Sequence, residues 1–343
     1  MARRATIKDI AREAGVSMST VDRALNGRVT VREETMRKIA EAAHRIGYHA
    51  RGLFDQRLDL SVPEVRLGFV LLKEKQEFYR NFRREIEAAT AARCDVRATA
   101  VIRFAQSQSP GEIAQLLRDV GGQVDALAAI AVNHRMLDQV VQDLQDAGVP
   151  TFSLLNDFAQ GIRRNYIGLN NMKVGRQAAW TITRTCSTPG KVAIFVGGNR
   201  WHGHDLREVG FRAFMRENAP AFTVLDTLVN LETRQLTYEA TLDLLTRHPD
   251  LSGIYVAGGG MEGAIAALRE VRAPEEVALV VNEVTTESRA GLLDGYVRMV
   301  VSTPLRELCT EVVQLMLHAQ DEASDGTIGQ HFLAPRLILP EIV

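Results

Sequence analysis

The sequence predicts an all-α head of about fifty residues followed by an α/β body of two lobes. Three short amphipathic segments with their own start signals fill the first fifty residues. From Val65 onward, short apolar runs alternate with amphipathic ones, the pattern of parallel sheets covered on both faces by helices. The apolar runs are too numerous for one small sheet, so the body is expected to divide. A chain of 343 residues, 46% hydrophobic and 24% charged, has room for two or three domains with cores of their own.

The head begins with Thr6–Asn26, TIKDIAREAGVSMSTVDRALN. Thr6 and Asp9 are spaced as a capping box, and Ile7, Ile10, Ala11 and Ala14 share one helical face. Gly15 provides a residue that enters a left-handed turn without a Cβ penalty. Ser17 can cap a second helix, with Val21, Ala24 and Leu25 turned inward. Two short helices joined by so tight a turn form a helix-turn-helix, whose second helix can enter a DNA major groove. Thr30-Val31-Arg32-Glu33 reads as another capping box, and Thr35–Ile46 as a third helix with Met36, Ile39, Ala40, Ala43 and Ile46 inside. Gly47-Tyr48 ends it. His49–Pro63 mixes Arg, Asp and Gly without a long apolar stripe and reads as a linker.

Charge divides along the same line. Residues 1–60 hold twelve Lys or Arg against eight Asp or Glu, a net of +4, while the remaining 29 basic and 34 acidic residues give −5. A positive end on an acidic body suits an anionic partner at that end, where phosphate contacts supply affinity and salt dependence. No apolar run approaches a membrane span, and MARRATIKDI lacks an apolar signal core. Cys94, Cys186 and Cys309 are widely separated and form no metal or redox spacing, as expected of reduced thiols in a cytoplasmic protein.

In the body, strands are expected at Val65–Leu72, Val96–Ile102, Ala126–Val132, Pro150–Leu155, Lys191–Val196, Thr223–Val229, Gly253–Ala257, Val277–Val281 and Val297–Ser302. PRLILPEIV is expected to form a final strand. Helices are expected between them, including Phe78–Ala92, Ile113–Val120, Met172–Thr185, Leu206–Glu217 and Thr233–Arg247.

The run I-K-D-I-A-R-E-A-G-V-S-x-S-T-V-D-R-A-L-N-G, followed by V-R-E-E-T, an Ala-rich helix and I-G-Y, resembles the headpiece of the lactose-repressor (LacI/GalR) family of bacterial transcription regulators. The resemblance implies that Met18, Ser19 and Arg23 read bases and that Ser17 and Thr20 contact phosphates, with Thr6 and Asn26 completing the DNA-facing set. Arg23 can contact guanine in bidentate fashion, and Met18 can press on a thymine methyl. Asp22 stands where the family usually has Ser. The resemblance also implies a hinge helix that inserts a Leu into the minor groove. Here the Pro after the Tyr is replaced by His49-Ala50, and the wedge position is Arg57, with Leu58 beside it.

The body resembles that family's effector domain, an architecture shared with periplasmic sugar-binding proteins (type I). The resemblance rests on R-L-G-F-V-L at Arg66–Leu71, Y-I-G-L-N-N…G-R-x-A-A at Tyr166–Ala179, H-G-H-D-L-R-E-V-G-F at His202–Phe211, and G-I-Y-V-A-G-G-G-x-x-G at Gly253–Gly263 with N-E-V-T at Asn282–Thr285. It implies a headpiece of residues 1–50, a hinge of 51–63, and an effector domain of 64–343. The N-lobe is expected at about 64–168 and 299–322 and the C-lobe at about 169–298 and 323–343, joined by three crossovers. It further implies a homodimer on pseudo-palindromic operator DNA, most simply a repressor, controlled by a small sugar or polyol.

Effector candidates lie just after strand ends, the place where parallel α/β sheets bind ligands. A polyol needs paired polar groups and an aromatic face against its C–H surface. Gln76, Phe78 and Tyr79 follow the first strand, Asn156 and Asp157 follow Pro150–Leu155, and Trp201 and His204 follow Lys191–Val196. Arg207, three before Gly210, matches the family's ligand-clamping arginine, and Glu283 falls where the family often has Asp. At two further positions, Gly258 and Thr303 stand where the family has Asn and Gln.

Gly258-Gly259-Gly260-Met261-Glu262-Gly263 satisfies G-x-G-x-x-G after a strand, with Glu283 about twenty residues on. It supports a second reading, a regulator sensing NAD(H) or a dehydrogenase. The structural explanation is that these glycines admit a close neighbour. No hydrolase or metalloprotease motif appears, and His202-Gly203-His204 alone does not make a metal site, so neither catalytic residues nor a metal or cofactor are expected.

Overall fold

A computed structural model describes residues 5–27, 31–61, 63–93, 96–320 and 328–342. The chain separates into two compact units, one up to Glu64 and one from Val65 onward, apart from a few residues before the second strand that group with the first unit.

The first unit is helical. α1 (Ile7–Ala14) starts at the expected box: Asp9 N–H donates to the Thr6 hydroxyl at 3.4 Å, and Thr6 N–H donates to the Asp9 carboxylate at 3.0 Å. Gly15 turns the chain at φ +68°. α2 (Met18–Asn26) is capped by Ser17, whose hydroxyl accepts from Thr20 N–H at 3.1 Å. A cap of this type contributes about 1 kcal/mol. α3 (Glu33–Arg45) starts two residues before the expected Thr35, after an Arg32 that makes no side-chain cap. Glu33 and Glu34 at its positive end pair with Arg37 and Lys38 one turn on, both at 2.6 Å. Thr30, expected to open this box, lies outside the described residues. Ile10, Val21, Ala24, Ile39, Ala42 and Ala43 are fully buried between the three helices.

The segment whose composition reads as a linker is a fourth helix, α4 (Arg51–Ser61), in keeping with the hinge helix that the resemblance implies. It packs on the head: Phe54 is fully buried in the head core beside Tyr48, with ring centroids 6.2 Å apart, and Leu58 packs against that core. His44 Nε2 lies 2.8 Å from Asp55, and the Arg57 guanidinium lies against Gly27, the cap of α2. One buried aromatic therefore anchors an element whose composition carried no stripe.

The second unit contains two sheets. Its strands and helices run β1 (Glu64–Leu72), α5 (Glu77–Ala91), β2 (Arg97–Ala105), α6 (Pro110–Gly121), β3 (Ala126–Ala129), α7 (Arg135–Asp146), β4 (Thr151–Leu154), β5 (Asn165–Leu169), α8 (Asn171–Thr185), β6 (Lys191–Val196) and α9 (His202–Asn218). They continue with β7 (Thr223–Val224), β8 (Leu228–Val229), α10 (Arg234–Arg247), β9 (Leu251–Val256), α11 (Met261–Val271), β10 (Ala278–Asn282), α12 (Thr286–Leu293), β11 (Val297–Ser302), α13 (Leu305–His318), β12 (Gly329–Leu333), β13 (Arg336–Ile338) and a 3-10 turn at Pro340–Ile342. The first sheet has the order β12-β5-β4-β3-β1-β2 and the second β13-β11-β10-β9-β6-β7, with β8 also on β6. Pairing is parallel from β12 to β1 and from β11 to β7; β13 pairs antiparallel to β11. The central strands β3, β4 and β10 are buried along their whole length, as parallel strands covered on both faces must be.

The chain passes between the sheets three times: after β5, at Thr303-Pro304 before α13, and between β12 and β13. Two expected lobe boundaries move. β11 lies wholly in the second sheet, so that crossover falls at 303 instead of 299. β12 returns to the first sheet, so the last crossover follows Leu333 instead of 323. β5 and β12 were not anticipated as strands, and the expected strand Thr223–Val229 is broken into β7 and β8. Cys186 and Cys309 are free thiols; Cys94 lies outside the described residues. Among the described residues, no helix is long and apolar enough to cross a membrane.

Candidate functional site

Two regions present chemistry. On the head, the outer face of α2 is open: Ser17, Met18, Ser19, Arg23 and Asn26 are exposed and Thr20 is half-buried. Met18 is 54% exposed, although a thioether gains by burial. Arg23 Nε donates to the Ser19 carbonyl at 3.1 Å, which lays the guanidinium along the helix. The acids that could neutralise it are engaged elsewhere: Asp22 accepts from Asn26 at 2.8 Å, and Glu13 faces Arg45 at 3.6 Å. Thr6, one of the expected DNA-facing residues, spends its hydroxyl in the α1 capping box.

In the body, a cleft of about 230 Å³ opens at the carboxyl ends of the strands, lined from both sheets. Helix packing positions its central cation. Gly175 of α8 meets the Arg207 carbonyl, and Gly210 of α9 meets the Met172 carbonyl, so closely that a Cβ at either glycine would fall within 2.1 Å of an oxygen. This contact fixes α9 against α8. From there Arg207 donates through Nε to Asn171 Oδ1 at 2.7 Å and through Nη1 to the Ala257 carbonyl at 2.6 Å.

Side chains bridge the lobes around the cleft. Lys73, at the end of β1, meets Glu232, after β8, at 2.5 Å, and Gln108 donates to the same carboxylate at 3.0 Å. Glu77 accepts from the backbone and hydroxyl of Thr286 at the N-terminus of α12, both at 3.0 Å. Asn156 donates to the Ala131 carbonyl at 2.6 Å and accepts from Gly203 N–H at 2.9 Å. Backbone strain also gathers here. Of the seven described non-glycine residues with positive φ, Lys73, Leu155, Glu232 and Glu283 line the cleft. Such conformations cost about 1–3 kcal/mol each and persist where surroundings hold them, often at ligand sites.

The titratable groups are set by burial and by one another. Burial opposes ionisation of Glu232, but the charges of Lys73 and His204 and the hydrogen bonds from Lys73 and Gly259 N–H prevail and hold its pKa at about 2. Burial depresses His204 to about 4, so it is neutral at pH 7. Its Nδ1 accepts from Gly197 N–H at 3.1 Å, leaving Nε2 to carry the proton. Burial raises Glu283, which accepts from the Thr303 hydroxyl at 2.5 Å and Thr303 N–H at 3.0 Å. Burial, then the charges of Glu232 and Glu283, keep Tyr79 a phenol donor.

Gln76, Phe78, Tyr79, Asn156, Trp201, His204, Arg207, Gly258, Glu283 and Thr303 are all brought to this cleft. Asp157 is not. It is buried in an ion pair with Arg163, 2.7 Å to Nε and 2.8 Å to Nη2, reinforced by Ser153 and Gln330. The strand end before it turns Asp157 into the N-lobe, so it is a structural anion. Sequence reasoning missed Lys73 and Glu232. The rule that found Gln76, Asn156 and His204, polar residues just beyond a strand end, would have found both.

The glycine run 258–263 is occupied by the protein itself. A Cβ at Gly258 would strike His204, one at Gly259 Glu232, one at Gly260 Thr237 and one at Gly263 the Arg234 carbonyl of α10. Close packing accounts for these glycines without a phosphate.

The comparisons agree in two parts. Residues 6–50 match the model of bacterial regulatory proteins, lacI family, and residues 67–323 match that of the periplasmic binding protein domain. The transcriptional regulator GanR of Bacillus subtilis is 24% identical over 98% of both chains, and CelR of Thermobifida fusca is 28% identical over 81% of this chain and 82% of its own. Catabolite control protein A of Priestia megaterium is 30% identical over 42% of each chain. A solute-binding protein of Burkholderia graminis in complex with D-arabinose superposes with a TM-score of 0.75 at 18% identity, over 82% of this chain and 97% of its own. Another, from Agrobacterium vitis with α-D-tagatopyranose, gives 0.72 at 20% identity over 81% and 95%. At these identities the structural likeness shows the fold, and nothing in the comparisons supports a dinucleotide enzyme. The chain thus joins a helix-turn-helix domain of the lacI family of bacterial regulatory proteins to a body that belongs to the periplasmic binding protein domain family.

Proposed function

We propose that this chain is a cytoplasmic, sequence-specific transcription repressor whose operator affinity is set by a small sugar or polyol held between the two lobes. A homodimer presents two heads to a pseudo-palindromic operator, with α2 in the major groove of each half-site. Arg23 and Met18, with Ser19, read bases; Ser17 and Thr20 position the helix on phosphates. An effector that prefers one lobe arrangement biases the dimer between DNA-competent and incompetent states by its difference in affinity for the two.

The observation that carries this reading is the cleft. Two sheets contribute Arg207, Glu283, His204 and Asn282 beside the rings of Phe78, Tyr79 and Trp201, polar groups and aromatic faces of the kind a polyol requires. The proteins of like fold named above hold D-arabinose and α-D-tagatopyranose.

The test is selection of genomic fragments by the purified protein, followed by titration of the retained fragment with and without a panel of sugars and polyols. Saturable binding of a discrete fragment, weakened by one member of the panel, supports repression relieved by an inducer. Failure to discriminate any fragment from random duplex, with or without the panel, refutes it.

A further inference from the structure

The charges in the cleft narrow the effector class. This inference rests on the sugar reading above and goes beyond it. Five carboxyl groups line the cleft: Glu77, Glu232, Glu262, Glu283 and Glu287. Among the described residues they face two cations there, Lys73 and Arg207. Lys73 is committed to Glu232 across the lobes at 2.5 Å. Arg207 is fixed by Asn171 and the Ala257 carbonyl; burial raises Glu283, against the Thr303 hydrogen bonds and the Arg207 charge. His204 adds no charge at pH 7, because burial, helped by Arg207 and Lys73, outweighs the pull of the Glu232 carboxylate 3.8 Å away.

The N-terminus of α12 receives the Glu77 carboxylate, and Glu287 pairs with Arg269 at 3.6 Å. Other helix N-termini that open on the cleft carry acids of their own: Glu77 stands in the first turn of α5 and Glu262 in that of α11. An arriving phosphate or carboxylate would meet an excess of acidic groups over cations, in a site partly shielded from water. The size of the cleft sets a second limit. About 230 Å³ lies below the roughly 300–1,000 Å³ of sites that enclose drug-sized ligands, which fits one sugar ring better than two.

We propose that the effector is a single sugar ring without negative charge: a free monosaccharide, and neither a sugar phosphate, a sugar acid nor a disaccharide. The carboxylates then act as paired acceptors for its hydroxyls, the role an anionic ligand would deny them.

The test is calorimetric titration of the full-length protein with a panel of free pentoses and hexoses, amino sugars included. The panel also holds the 6-phosphates, the corresponding uronic acids and the common disaccharides. At least one free monosaccharide is expected to bind, with its phosphate and uronate weaker by about tenfold or more. Glu262→Lys, on the partly exposed rim, is expected to narrow the ratio between sugar and phosphate several-fold. Tighter binding of a phosphate, a uronate or a disaccharide than of every free monosaccharide overturns the inference while leaving the sugar reading standing. A ratio unmoved by Glu262→Lys overturns the role given to charge. No binding in any arm removes the sugar reading and this inference together.

Discussion

The head and the cleft hold their polar side chains in opposite ways. On the α1–α2 side of the head, side-chain hydrogen bonds close over three or four residues: Thr6 with Asp9, Ser17 with Thr20, Arg23 with the Ser19 carbonyl. The outer face of α2 is left open. In the cleft, bonds span the chain: Lys73 with Glu232, Glu77 with Thr286, Asn156 with Gly203. A surface built from local bonds keeps its shape while it meets a partner. A site whose walls are tied across two lobes changes when the lobes move, as a switch requires.

Breaking each region separately sharpens this contrast. The largest effect is expected from Phe54→Ala. It empties the fully buried anchor of α4 and should destabilise the head by about 3–5 kcal/mol, abolishing operator binding while sugar binding persists. Paired DNA and sugar titrations check it; equal loss of both would contradict a self-contained head.

Acid comes next and strikes the cleft. His204 titrates at about 4 against an ordinary 6.5, and Glu232 at about 2 against 4.5. The unfolded chain therefore takes up protons first as pH falls. Stability present above pH 6.5 is lost from 6.5 toward 4 through His204, and from 4.5 toward 2 through Glu232. The two face each other at 3.8 Å, so their losses overlap; the His204 part is about 3 kcal/mol by pH 4. The melting temperature of the body should drop by roughly 5–10 °C between pH 7 and 4, and less in His204→Asn. A flat profile would mean that the His204 environment is wrong.

Arg23→Ala is expected to cost about 1–3 kcal/mol of specific DNA affinity and to relax preference at one base position, measured by fluorescence anisotropy on substituted operators. A uniform loss across sequences would make Arg23 a phosphate contact. Met18→Ala is the smallest, below about 1 kcal/mol, and should act only where a thymine methyl faces it.

The same contrast governs how much was legible in the sequence. The capping box at Thr6, the turn at Gly15 and the inward faces of α1 to α3 are local signals, and they stand where the residues placed them. α4 was legible only through the resemblance, which implies a hinge helix; its composition hides it, because its docking depends on the single ring of Phe54 finding the core beside Tyr48. Cleft residues were legible through the rule that strand ends face the ligand and, for Arg207, Gly258, Glu283 and Thr303, through the family resemblance; ten of the eleven candidates meet in one place. The same rule placed Asp157 wrongly, since only tertiary packing reveals that Arg163 turns it inward. β12 was hidden because its pattern alternates exposed and half-buried residues at a sheet edge.

The division of labour between head and cleft is tested most directly by one titration: operator affinity with and without the effector sugar, for the wild type, Arg23→Ala and Arg207→Ala. The wild type should show coupling of at least about fivefold. Arg207→Ala should keep the sugar-free operator affinity and lose the coupling, and Arg23→Ala should bind the operator more weakly yet keep the coupling. Loss of the same activity in both variants would contradict the account.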